Sequence, residues 1–557
     1  MNVRLDTPAN PTLADLRNPV DERIAAAPVP TSAVSTTAVR TATVPTASRP
    51  TEPGPVAAPA PAPTDQTHWL VPIAVAVVGM FLSVLDSSII GIALPVIGKD
   101  FYVNNDDLSW VNTAFRVSEA MVVPATAWLA SRLGLRRMYL IALVLFAAFS
   151  LLTSLAWDLN SLVAFRILQA IPGSMTPVVS LAIIFRLVPA AKRGLGLSLY
   201  GLGIVAAPGL APLIGGLLVQ NGAWRTVFYV DAPLALIGLA AAVRVLPQMP
   251  GSSGRRFDVL GWLTAGFGLS ALTAAIAQGS RWGWTSYPVL MLATFGALSL
   301  ALFVVIELEV EQPLLELRTF TRRPFLALTV LIDIMFTGVT AVLLFLPSFL
   351  ARAQQLSPTD IGLFLLPQAL LWMAMMPVAG LIYARFGSRW PAAIGMALTG
   401  LGTLGLAGIT VDTPRPELIA WLVLRSFGLG LTVVPILAGG MSSLPPALIN
   451  DGSALRTVAQ RITAGMGLAL LSAMQLNQQT QDYTDRIGLM QIDSNPDLTH
   501  LAHGGARTVL GLWRQVSLQA ATDTYANAFV VAGTLSLVGA LLAAWLLPTG
   551  NPTAGRR

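Results

Sequence analysis

From about Trp69 onward the chain alternates between long apolar runs and short polar breaks. Runs of about 20 apolar residues fall near 70–95, 110–130, 138–157, 161–185, 195–219, 227–247 and 259–278. Seven more follow near 287–308, 325–350, 361–383, 391–410, 417–440, 454–475 and 527–547. At about 1.5 Å per residue, each run is long enough to cross about 30 Å of hydrocarbon as a helix. Within hydrocarbon every backbone N–H and C=O must be satisfied inside the protein. The pattern therefore predicts an all-α integral membrane protein with about fourteen spanning helices.

Composition agrees with that reading. Hydrophobic residues make up 54% of the chain and charged residues 11%, against roughly 25% charged in soluble domains. The net charge of +6 sits in short clusters between the apolar runs, as topology signals do, and so excludes a nucleic-acid interface. Alternate loops carry Arg132/Arg136/Arg137, Arg186/Lys192/Arg193, Arg255/Arg256, Arg318/Arg322/Arg323 and Arg385/Arg389. Most opposite loops carry one base, such as Lys99, Arg281 or Arg352. An even number of spans with positive loops inside places both termini in the cytoplasm. Residues 1–66 are rich in Pro, Ala, Thr and Val with no helical or strand period, and read as a disordered cytoplasmic tail. The chain has no cysteine, so disulfides and thiol chemistry are absent.

The spans repeat. "PATAWLASRLGLRR" and "PVAGLIYARFGSRW" match Pro124 with Pro377, Arg132 with Arg385, Gly134 with Gly387 and Arg136 with Arg389, at a constant offset of 253. Earlier in each half, Leu94-Pro95 matches Leu346-Pro347 at an offset of 252. The expected plan is two pseudo-symmetric six-helix bundles, 69–247 and 325–547, with two extra helices at 259–308 and a cytoplasmic tail at 548–557. A polar segment at 476–526, inside the second bundle, is expected to lie outside the membrane. Parallel halves of this kind are the plan of the major facilitator transporters, whose substrate site lies between the halves.

Charges inside such spans are costly, so each needs a partner or a task. The carboxylates in spans are Asp86, Glu119, Asp231 and Asp333, while His68, His500 and His503 fall outside them. Asp86, in "SVLDSSIIGIALP", lies roughly 13 Å from the outer end of the first span, and Arg166 roughly 8 Å from the outer end of the fourth. The two can meet. A carboxylate that exchanges a guanidinium partner for an apolar surrounding changes its proton affinity, so this pair can carry protons or be a static tie between helices. Arg116 and Glu119 are three residues apart on one helix face and can neutralise each other. Arg116, at a depth similar to Asp86, can also compete with Arg166 for that carboxylate. Asp333 can serve an inner half-pathway, or meet Arg425 or a polar side chain. "GLGIVAAPGLAPLIGG" packs small residues and prolines into one span, for close helix packing or for a bend. His500 and His503 have helical metal-ligand spacing but no clear third ligand, so no metal site is expected.

These residues together resemble the fourteen-helix drug:proton antiporters of the major facilitator superfamily, of the EmrB/QacA type and closest to EmrB. "LDSSIIGIALP" resembles the first-helix motif with the family's acidic residue, at Asp86, and "RILQAIPGS" the fourth-helix motif whose arginine, Arg166 here, is linked to proton coupling. "VAAPGLAPLIGG" resembles the antiporter motif, with Pro208, Pro212, Gly215 and Gly216 in place, and "WRTVFYVDAP" the start of the sixth helix. "WVNTAFRVSEAMVVPATAWLASRLGLRR" resembles the second helix and its basic loop motif, with Arg132, Gly134 and Arg136. Four features depart from the pattern: Ala127 for Gly, Ser131 for Asp, Ala211 for Gly, and charges at Arg116 and Glu119 where relatives are usually uncharged.

The resemblance implies proton-coupled efflux of hydrophobic or amphipathic compounds, drugs or weak acids, across the bacterial cytoplasmic (inner) membrane. It also implies a periplasmic adaptor protein and an outer-membrane channel as partners. Export of one endogenous molecule, such as a siderophore or fatty acid, and a transport-silent sensor are the alternatives. No nucleophile–base pair, zinc motif or phosphate-binding Gly-Lys-Ser/Thr loop is present, so neither an enzyme nor an ATP-driven pump is expected. The proton gradient takes the place of a cofactor.

Overall fold

The computed structural model describes residues 69–219, 224–251, 254, 256–410, 413–463, 467 and 506–547. The described residues form helices and connecting loops, with no strand among them. The first group is α1 (Leu70–Phe101), α2 (Trp110–Leu133), α3 (Leu135–Ser154), α4 (Leu159–Leu187), α5 (Arg193–Val219) and α6 (Arg225–Val245). A hairpin follows, α7 (Val259–Trp282) and α8 (Tyr287–Glu309). The remaining helices are α9 (Arg323–Arg352), α10 (Pro358–Phe386), α11 (Arg389–Gly405), α12 (Arg415–Met441), α13 (449–463) and α14 (Ala506–Leu546).

Twelve of the described helices are long and apolar enough to cross a membrane. The sequence suggests about fourteen, and the difference lies in α2 and α13. At 24 residues α2 is long enough, but Arg116 and Glu119 make it less apolar. The described part of α13 stops at residue 463 and carries Arg456 and Arg461. Within the 476–526 segment, α14 is already helical from Ala506. Part of that stretch packs into a core, with Tyr525 stacked on Phe345 at 5.6 Å. Residues 471–505, including His500 and His503, lie outside the described residues.

Within the first group α1 packs on α4, α5 and α6, and α3 on α4 and α6; among the later helices α12 packs on α9, α10 and α11. The hairpin attaches through α7 against α2. The two groups meet through α5, which touches both α10 and α12. Positions matched by the repeat behave alike: Pro95 and Pro347 both lie inside helices, α1 and α9, and Pro124 and Pro377 inside α2 and α10. Gly134 and Gly387 both take positive φ, 82° and 75°. At Gly134 a Cβ would fall 2.2 Å from the Met249 carbonyl oxygen, so only glycine fits this turn.

The hydrophobic core decides which end is shut. Toward the basic loops one cluster draws on both groups, from Ile73, Met80 and Ile184 to Met376, Leu437 and Leu455. Residues 178–185 of α4, 428–438 of α12 and 451–457 of α13 are buried on every face there. At the opposite end the core divides in two. Leu85, Ile89, Leu162 and Phe228 form one cluster, and Val342, Phe345, Leu422 and Phe529 another. Among the described residues the groups are thus joined at the basic end and have separate cores at the other, which leaves a cleft opening away from the basic loops.

Candidate functional site

Asp86 sits where α1 leaves the shared core, after Met80, and enters the first group's own core at Leu85. It is completely buried. Arg166 on α4 donates from Nη1 to both its oxygens, at 2.9 and 2.7 Å. Gln169, one turn further along α4, accepts from the same Nη1 at 2.8 Å. Its amide donates to Ser150 Oγ at 2.7 Å and to Asp86 Oδ1 at 3.3 Å. The pairing that depth allows is therefore present, and Arg116 does not take Arg166's place.

The pair is incomplete in one respect. Nε and Nη2 of Arg166 are buried without hydrogen-bond partners. Aromatic faces cover the guanidinium instead, Phe115 at 4.0 Å and Phe228 at 5.7 Å from ring centroid to Cζ. Such contacts offset part of the desolvation cost but supply no acceptor. Asp231 on α6 is the third ionisable group. It is buried and within hydrogen-bonding reach of Asp86, while its Oδ2 has no partner.

Local structure fixes these groups in place. Below Asp86, the Tyr139 hydroxyl accepts from Gly79 N at 2.9 Å and donates to Val75 O at 2.6 Å. Those are the two groups a regular helix pairs with each other, so the Tyr139 hydroxyl ties α3 to one turn of the α1 backbone. Ser83 Oγ ties the next turn to Gly173 O on α4 at 2.9 Å.

The start of α4 is set by a capping box, in which Asp158 accepts from Ser161 N and Ser161 Oγ accepts from Asp158 N. The Ser161 side-chain contact, and then its backbone N–H, hold the Asp158 carboxyl below the usual carboxylate range. A depressed folded-state value means that the stabilisation is complete above the unfolded value and is lost as the pH falls through the folded one. Asp158→Asn, which keeps an N-cap but no charge, is expected to melt earlier than wild type at pH 7. The difference should begin to shrink near about pH 4, the unfolded value, and vanish once the pH lies below the depressed folded value; a gap in thermal scans that does not shrink as the pH falls would show that the charge is not its source.

The other candidate charges fall around the cleft. Glu119 is not neutralised by Arg116. Its Oε2 accepts from Arg461 Nη1 on α13 at 2.7 Å, which joins the first group to the second. Asp333 does not meet Arg425: its Oδ2 accepts from Thr463 Oγ1 at 2.9 Å, and Arg425 donates to the Gly338 carbonyl at 3.3 Å. Pro208 and Pro212 do not interrupt α5, which is helical from Arg193 to Val219. Gly215 faces Ile89 and Ile92 on α1 in close packing, whereas Gly216 faces open space. Arg136 donates to Val243 O at 2.6 Å, tying α3 to α6, and Arg132 lies over the Trp128 ring.

Sequence reading missed Gln169, Ser150, Arg456 and Arg461. The two arginines were visible as cations within the apolar run at 454–475, whereas Gln169 and Ser150 carry no charge to mark them.

The family model described as the Major Facilitator Superfamily matches residues 76–468. The chain belongs to the major facilitator superfamily. Among relatives of this facilitator, the tetracenomycin C resistance and export protein of Streptomyces glaucescens is 27% identical, over 85% of this chain and 91% of its own. The multidrug resistance protein B homolog of Mycobacterium tuberculosis (strain ATCC 25618 / H37Rv) is also 27% identical, over 85% of this chain and 89% of its own. The solved proton:xylose symporter XylE matches with a TM-score of 0.56 at 15% identity, covering 85% of this chain and 94% of that one. The last match shows a shared fold. The chain is thus a multi-pass facilitator transporter with relatives named for multidrug resistance and export.

Proposed function

We propose that this facilitator is a fourteen-helix proton antiporter of the EmrB type. It exports hydrophobic or amphipathic compounds across a bacterial cytoplasmic membrane, with both termini cytoplasmic. In that orientation the basic loops face the cytoplasm, α2 and the apolar run at 454–475 supply the two further spans, and the cleft opens outward. The observation that carries the reading is the buried Asp86–Arg166 pair, placed where the shared core divides. Asp231 lies within reach of it.

Two carboxylates beside one guanidinium favour one proton between them, because like charges in a small apolar space repel. A proton reaching Asp86 from the outward cleft weakens its hold on Arg166. The guanidinium, still charged, then needs another acceptor, and Asp231 is the one at hand. The exchange changes how α1, α4 and α6 are tied at the level where the two cores part. It gives protonation a mechanical consequence, as alternating access requires.

The test is proton movement in proteoliposomes under an imposed pH gradient while lipophilic aromatic compounds and weak acids are added one at a time. Compound-triggered proton flux is expected for some of them. A wild type that carries compounds without moving protons would remove antiport from the reading, and one that moves neither would remove export.

A further inference from the structure

The charges along the cleft do not balance. Because Arg461 occupies Glu119, the partner that a three-residue spacing offers to Arg116 is already engaged. Among the described residues Arg116 has no hydrogen-bond or ion-pair partner. It lies roughly 9 Å along α2 from Trp110, yet its side chain is exposed. It shares a face of α2 with Glu119, three residues on, and Glu119 meets Arg461 of the second group, so Arg116 lies on the face turned toward the second group and the cleft. Arg461 is itself 23% exposed. Arg166 is committed to Asp86. Two guanidinium groups, Arg116 and Arg461, are left to share one carboxylate, and that small region carries an excess positive charge.

We infer that Arg116, with Arg461 beside it, forms a subsite for the anionic group of an amphipathic cargo. The cargo is a carboxylate, sulfonate or phenolate whose apolar body lies in the cleft. The inference rests on the export reading above and names the cargo's chemistry. A guanidinium on the wall of an apolar cleft gains more from a bound anion than it would in open water, because the low-dielectric walls focus its field. Its planar fork accepts a carboxylate through two parallel hydrogen bonds, which a lysine does not reproduce. A cationic cargo meets the excess positive charge and is disfavoured. The anion also competes with Glu119 for Arg461. Cargo arriving at this subsite therefore loosens the ion pair that joins the first group of helices to the second.

The experiment measures equilibrium binding to the full chain in phosphatidylcholine nanodiscs, so that no anionic lipid competes, and with no pH gradient. Three fluorescent probes share a dansyl-undecyl body and end in a carboxylate, its methyl ester or a trimethylammonium group. Wild type should bind the carboxylate about tenfold or more tightly than the ammonium probe. Arg116→Gln should remove most of that preference while leaving the methyl ester unchanged, and Arg116→Lys should retain part of it. Preference for the ammonium probe, or an equal loss of all three probes in Arg116→Gln, would overturn the subsite. Unchanged methyl ester binding shows that the variant is folded. Selective carboxylate binding by a wild type that moves no protons would keep the subsite and remove only the coupling.

Discussion

Asp86→Asn is expected to abolish compound-triggered proton flux and, separately, to destabilise the protein. Both effects have the same origin. Asp86 and Arg166 are completely buried, and the arginine's contact with the carboxylate runs through Nη1 alone. Removing the negative charge strips the guanidinium of the counter-ion it now holds, at the level where the core divides, and leaves it to compete for Asp231. Breaking a buried pair from one side costs about 3–5 kcal/mol, because the remaining charge is left uncompensated. Neutralising both sides costs far less. Asp86→Asn with Arg166→Gln should therefore recover most of the lost thermal stability, because Gln169 and Ser150 can still bond to the two amides, but it should recover no flux. This separates a structural tie from a proton carrier: a static tie predicts that the double variant transports once it is stable again. Flux that persists in the single variant would exclude Asp86 from the proton path and bring Asp231 forward.

Much of the architecture is legible in the sequence, for a reason specific to membranes. Twenty apolar residues in hydrocarbon have few alternatives to a helix, so element positions followed from run length. The repeat was visible because turns demand particular residues: Gly134 and Gly387 both adopt a positive φ, which glycine accommodates most readily. The Asp86–Arg166 pair was legible because an isolated charge in each of two apolar runs at comparable depth has few places to go. Charge partners on other helices were less accessible. The spacing of Arg116 and Glu119 suggested a local pair, but a three-residue spacing only makes such a contact possible. Arg461, 342 residues away in sequence, wins because helix packing brings its guanidinium to Glu119. Asp333 was settled in the same way, by a hydroxyl on α13 that no sequence pattern marks. Depth along a helix can be counted from sequence, whereas rotation about its axis is set by packing.

The second large effect is expected at the basic end, where α5 and α10 approach through glycines. A Cβ at Gly194 would lie 2.4 Å from the Gly380 carbonyl oxygen, and one at Gly380 would lie 2.7 Å from the Gly194 carbonyl oxygen. Both obstructions are backbone, so no rotamer change relieves them, and the helices have to separate. Small residues permit this closeness, as in other membrane helix pairs. The contact belongs to the core that joins the two groups, so Gly194→Val acts against the closed basic end rather than against either group alone. Overpacking of this kind typically costs about 1–3 kcal/mol, which is roughly a 5- to 150-fold shift between two states. Transport should fall accordingly while each group of helices stays folded. The shift can be read directly, because the chain has no cysteine and introduced pairs are unique labelling sites. Spin labels at Ala191→Cys and Arg385→Cys report the basic ends of α5 and α10. Labels at Lys99→Cys and Ala351→Cys report the far ends of α1 and α9. In Gly194→Val the first distance should lengthen and the second shorten, since a rocking change that opens one end closes the other. A lengthening at the basic end alone would mean that the groups loosen without rocking. No change in either distance would mean that Gly194 and Gly380 pack closely without holding the cleft shut.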